Sequence, residues 1–196
     1  MKRLGLCVLV LFFAGCASIP MSTMWRMRSF GDQDFARLDP TVLRVRAYLP
    51  PDIGLDLANT HLLFDLDTPK GNATGVLSLV EKSESTVTRK GGWFSEARTL
   101  RCHTLRLDKD SLTRFRKIQQ LAAGQGEIHG SVRFNADFTN LNAQNSRFRL
   151  TVELMLNTQD GYFTLLDDAP MDFREALQKA RHDSTEPNDE KAHHAR

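Results

Sequence analysis

Apolar and polar residues alternate along most of this chain, and the alternation predicts strands. In residues 43–49, Leu43, Val45, Ala47 and Leu49 share one face, Arg44 and Arg46 take the other, and Pro50-Pro51 ends the run. Residues 61–67 put Leu62, Phe64 and Leu66 together, with His61, Asp65 and Asp67 facing away. The stretch TGVLSLVE (74–81) predicts a third strand. Residues 85–107 predict a long hairpin that turns near Gly91-Gly92, a dipeptide that accepts the positive φ of tight turns. The clearest alternation comes later. Every even position from Ile128 to Phe138 is apolar or Gly, and every odd one from Glu127 to Asp137 is polar. Phe148, Leu150, Val152, Leu154 and Leu156 repeat the pattern, and Asp160-Gly161 marks a turn into the returning strand YFTLL (162–166).

Two segments break the period of two. Between Asp108 and Gly124, Leu112, Phe115, Ile118, Leu121 and Ala122 recur at steps of three and four, which predicts an amphipathic helix. Asp108 or Asp110 can cap its start, Gly124 suits its end, and Arg114, Arg116 and Lys117 form its solvated face. Residues 169–181 predict a short C-terminal helix with Pro170 in its first turn. The expected fold is therefore mainly β: an antiparallel β-sandwich or a strongly curved sheet of about seven or eight strands, with one inserted amphipathic helix and a short C-terminal helix.

The two ends of the chain are of a different character. Lys2 and Arg3 precede an apolar run, residues 4–14, that as a helix spans roughly 16 Å, about half the hydrocarbon core of a bilayer. A basic start, a short apolar run and small residues after it make an export signal, not a membrane span. Its end, Phe13-Ala14-Gly15-Cys16, resembles the lipobox of bacterial lipoprotein precursors, with Phe13 where an aliphatic residue is usual. The resemblance covers residues 1 to about 20 and implies cleavage before Cys16 and acylation of that cysteine. Ala17 after the cysteine implies, on the same resemblance, an outer membrane as destination, with the domain facing the periplasm. An ordinary secretory signal cut near Ala17 or Ser18 is the alternative. The domain plan is then a signal peptide at 1–15, a lipidated N-terminus and tether at 16–40, one β-rich domain at 41–181 and a disordered tail at 182–196.

Charge changes the picture of partners. The chain holds 26 Lys and Arg against 24 Asp and Glu, and its small excess resides in Lys2 and Arg3 of the signal. A neutral mature domain lacks the basis for phosphate neutralisation, so nucleic acid is not an expected partner. Of the three cysteines, Cys7 departs with the signal and Cys16 carries lipid. Cys102 is left without a partner and alternates with Leu100, as a buried small hydrophobe would.

Candidate chemistry is sparse. No phosphate loop, nucleophile elbow or paired metal-ligand spacing occurs, so no catalytic residue, metal or cofactor is assigned. His193 and His194 lie in the tail, where a lasting metal site lacks support around its ligands. His61, Asp65 and Asp67 share one outward face, and His129 lies on another; a hydrolase built on them is the weakest reading. Trp93 and Phe94 stand at the hairpin tip, beside Arg89 and Lys90, as candidate contacts to a partner or a bilayer. Trp25, among Met21, Met24, Met27 and two arginines, is a second candidate for the membrane interface or for packing onto the domain. These features point to a lipid-anchored, non-enzymatic envelope protein that binds another envelope component. The alternative is a carrier of lipid or another apolar ligand, which predicts more apolar surface inside the sheet than one helix covers.

Overall fold

The computed structural model describes residues 32–68, 71–90, 97–123 and 129–183. They begin with α1 (Asp32–Arg37), β1 (Arg44–Leu49), β2 (Gly54–Thr68), β3 (Gly71–Arg89) and β4 (Arg98–Leu107). After α2 (Lys109–Ala122) come β5 (His129–Thr139), β6 (Arg147–Met155), β7 (Tyr162–Asp172) and α3 (Arg174–Asp183). The strands form one seven-stranded sheet in the order β5-β2-β3-β4-β1-β6-β7, and every neighbouring pair is antiparallel. The sheet curls strongly into a half-barrel. Of the two predicted architectures the curved sheet is the one formed, with the inserted helix and the C-terminal helix both present.

The apolar parity of each strand explains which way the sheet curls. Val45, Ala47 and Leu49 of β1, Leu62, Phe64 and Leu66 of β2, and Leu77 and Leu79 of β3 are buried on the concave face. Leu105 and Leu107 of β4 and Phe148, Leu150, Val152 and Leu154 of β6 complete that lining. The helix α2 lies over β3 inside the concavity. Its fully buried Phe115 meets Phe64 edge-on at 5.3 Å and Phe35 of α1 at 5.4 Å. Gly75 leaves room for that approach, because a Cβ there would crowd the Ile118 Cδ1 methyl and make it shift.

Polar groups fix the helix at both ends. Asp108 caps its start by accepting from the Ser111 amide, and the buried Ser111 hydroxyl accepts from the Ser78 amide of β3 at 2.8 Å. Near its end, the buried Gln119 amide donates to the carbonyls of Phe35 and Leu38, each at 2.8 Å. The described chain thus enters the core already at Phe35, within the stretch read as tether. Leu121, expected on the apolar face, is 63% exposed.

Three elements differ from the sequence expectation. The third strand and the first arm of the hairpin are one continuous strand, β3, which passes through a register shift between Glu81 and Ser83. Its pairing with β2 ends at Ser78, so the far half of the β3–β4 hairpin extends beyond β2. That half bends over the convex face, where the Arg89 guanidinium donates to Thr151 of β6 at 2.9 Å and Arg98 pairs with Asp168 of β7 at 3.2 Å. Cys102 and Thr151 are therefore buried although they sit on the convex side. Finally, β7 runs on through Ala169 and Pro170, and the C-terminal helix starts only at Arg174. Pro170 fits because β7 pairs with β6 on one side and needs no amide donor on the other.

Candidate binding cleft at the open edge of the sheet

The curl brings the two ends of the sheet towards each other without joining them. Phe138 of the edge strand β5 packs edge-on against Phe148 of β6 at 5.1 Å and against Phe173, just after β7, at 5.6 Å. Phe148 and Phe173 stack at 5.9 Å. This aromatic cluster is where the two ends of the sheet meet. Beside it lies an open cavity of about 350 Å³, lined by Phe134, Ala136 and Phe138 of β5, Leu150 of β6, and Leu166 and Met171 of β7. Asn59 and His61 of β2, with Asn135 and Asp137 of β5, supply its polar part.

The lining follows from an edge strand with a correct but half-used parity. Val132, Phe134, Ala136 and Phe138 face the concavity as the alternation predicts, yet each is only half-buried, while Ser131, Arg133, Asn135 and Asp137 are exposed. Leu165, Leu166 and Met171 on the facing side are likewise half-buried. The single inserted helix covers the part of the concavity beside β3, so apolar surface at the β5 and β7 end is left uncovered.

The residues singled out from the sequence are distributed as follows. Cys16 and Trp25, and Trp93 and Phe94 in the connection after β3, lie outside the described residues. His61 lines the cleft. Asp65, two turns of the pleat further along β2, is held in an ion pair by Arg133 of β5 at 2.6 Å and receives a weaker hydrogen bond from Ser131 at 3.4 Å. The Arg133 hydrogen bond holds the Asp65 carboxyl below its ordinary range. The register sets Asp67 opposite His129, which makes β2 and β5 neighbours, a relation that periodicity does not reveal. Asp65 is thereby engaged with a guanidinium, and the cleft holds His61 without Asp65 or Asp67.

A second polar group went unnoticed in the sequence. On the convex face the Tyr48 hydroxyl donates to Glu153 at 2.7 Å, the Arg46 guanidinium stacks 3.8 Å over the Tyr162 ring, and Arg89 lies 5.2 Å over the ring of Tyr48. Burial, followed by the Glu153 hydrogen bond, pushes the Tyr48 hydroxyl well above its ordinary pKa. Every polar group named here has a partner, so the network clamps β1, β6 and the bent hairpin together. Its members come from strands distant in sequence, and no local signal joins them.

Compared with protein-family models, curated proteins and solved structures, the chain finds no match in any of the three.

Proposed function

We propose that this chain is a lipid-anchored bacterial envelope protein, held through Cys16 at an outer membrane and facing the periplasm, whose domain binds an apolar ligand without transforming it. The observation that carries the reading is the open cleft between β5 and β7. Its volume of about 350 Å³ lies at the small end of ligand-sized cavities. Its walls are aliphatic and aromatic, and its polar groups (Asn59, His61, Asn135, Asp137) stand to one side, an arrangement suited to an amphiphile with an acyl chain inward and a polar head outward. What supports the anchor is the resemblance of Phe13-Ala14-Gly15-Cys16 to a lipobox, since an anchored domain would stand beside the membranes that hold such molecules.

The test is titration with a fluorescent fatty-acid probe, using the chain with Cys16→Ser so that no attached acyl group competes. Ala136→Trp places a large ring in the cleft at a half-buried edge-strand position. Saturable binding that weakens at least tenfold in Ala136→Trp is the expected result. Absence of saturable binding, or equal binding by both proteins, would sink the proposal.

A further inference from the structure

The register shift in β3 has a chemical consequence. Glu81 and Glu84 are three residues apart, an odd separation that in a regular strand puts them on opposite faces. Here Glu81 pairs with Leu105 and Glu84 with His103, and Leu105 and His103 share one face of β4. The extra residue at the bulge therefore brings both carboxylates to the same side, against one imidazole.

The geometry is compact. His103 Nδ1 lies 2.7 Å from a Glu81 carboxylate oxygen and 3.8 Å from Glu84 Oε2, and one donor atom from each residue falls within 4.8 Å of the others. Metal–nitrogen and metal–oxygen bonds of about 2.0–2.2 Å set neighbouring ligand atoms roughly 3–3.5 Å apart, and these two separations straddle that spacing. Arg101 pairs with Glu84 through the other oxygen, Oε1, at 3.4 Å. It orients the carboxylate and leaves the oxygen that faces His103 to act as a donor.

The imidazole is buried, and it turns one edge to the carboxylates. His103 is only 5% exposed, and its Nε2 has no hydrogen-bond partner among the described residues. All of its polar contacts run to the two carboxylates. Its Nδ1, the atom turned towards the two carboxylates, is the one that would bind an ion, while Nε2 lies on the far edge of the ring and takes no part in the site. We propose that Glu81, Glu84 and His103 form a binding site for a first-row divalent metal ion of the zinc class. One nitrogen and two carboxylate oxygens suit such an ion, whereas magnesium and calcium favour oxygen ligands throughout. Both carboxylates are partly open to solvent, at 33% and 48%, so water completes the coordination shell. The site is separate from the cleft and does not depend on the ligand-binding reading.

Equilibrium dialysis of the full chain in detergent against zinc, with cobalt absorption as a second probe, tests this. Glu81→Gln and Glu84→Gln alter solvent-exposed positions, and circular dichroism checks that both variants fold. Both leave His182 of α3 and His193 and His194 beyond it in sequence unchanged. The expected result is one equivalent of zinc bound by the wild type and not displaced by excess magnesium. Binding should weaken at least tenfold in each Gln variant, with the cobalt ligand-field bands lost in the double variant. Stoichiometric binding that survives unchanged in the double variant would place the metal elsewhere and overturn the site, as would absence of stoichiometric binding by the wild type. A plain Glu81–His103 hydrogen bond predicts that last outcome.

Discussion

Phe115 carries more of the packing than any other single side chain on α2. It is fully buried and joins Phe35 of α1 to Phe64 of β2, so it holds both helical pieces to the sheet. Truncation to Ala removes a ring from a closed three-ring contact that cannot collapse without moving the helix. Phe115→Ala is expected to cost about 3–5 kcal/mol, read as a lower urea midpoint at unchanged slope. By contrast, the exposed pairs Arg98–Asp168 and Arg149–Asp168 lie in high dielectric and contribute little each. Asp168, at φ 48°, is held by both arginines where β7 departs from regular geometry. His103 stands at the other extreme, a buried polar side chain whose neighbours are charged and partly solvated.

At the scale of elements, the C-terminal helix gives a pH-dependent prediction. Asp172 accepts from the backbone amide and the guanidinium of Arg174, so it ends β7 and starts α3 in one residue. The Arg174 side-chain hydrogen bond, first, and then the backbone bond lower the Asp172 pKa from 3.8 to about 2. A depressed folded-state pKa means that the stabilisation is present above the ordinary value and is lost as pH falls. The first turn of α3 should therefore loosen between about pH 4 and pH 2. Carbon-detected NMR titration of the Asp172 carboxyl checks this, and Arg174→Ala should move its midpoint back towards 3.8. A midpoint unmoved by that substitution would show that the cap does not depend on Arg174. The bulge in β3 acts on the same scale: one inserted residue re-aims the strand, gathers Glu81 and Glu84, and starts the hairpin's bend over the convex face.

For the whole molecule, the half-barrel is open where a closed barrel would pair its last edges. β5 and β7 have partners on one side only, and their inner residues are half-buried instead of fully covered. An open apolar edge invites aggregation unless something occupies or shields it, and the ligand proposed above would meet that need. The anchor proposed at Cys16 belongs to this scale too, since two or three acyl chains there would hold the domain far more firmly than one. Labelled palmitate is expected to enter the wild type and not Cys16→Ala. Equal labelling of both, or labelling of neither, would remove the anchor from the reading.

Much of this architecture is legible in the sequence, for a local reason. A strand with one face buried must alternate, and a helix on a core must repeat at three and four, so residues 43–49, 61–67, 129–138, 147–155 and 109–122 declare their elements and inner faces. Asp108 as the helix cap was readable for the same reason, because the bond it makes lies three residues away. What the sequence could not show is which strands are neighbours and how far the sheet bends. Alternation says that Phe138 and Phe148 both face inward; only closure of the curl sets their rings 5.1 Å apart and opens the cleft beside them. The spacing of Glu81 and Glu84 even pointed to opposite faces, until pairing with β4 forced an extra residue into β3. Pro170 read as a helix start because its place at the edge of the sheet, where a missing amide costs nothing, is a property of the tertiary arrangement. Local periodicity determined the elements and their inner faces, since burial acts on each residue where it stands. The cleft and the carboxylate–imidazole cluster were decided by contacts between strands far apart in the chain.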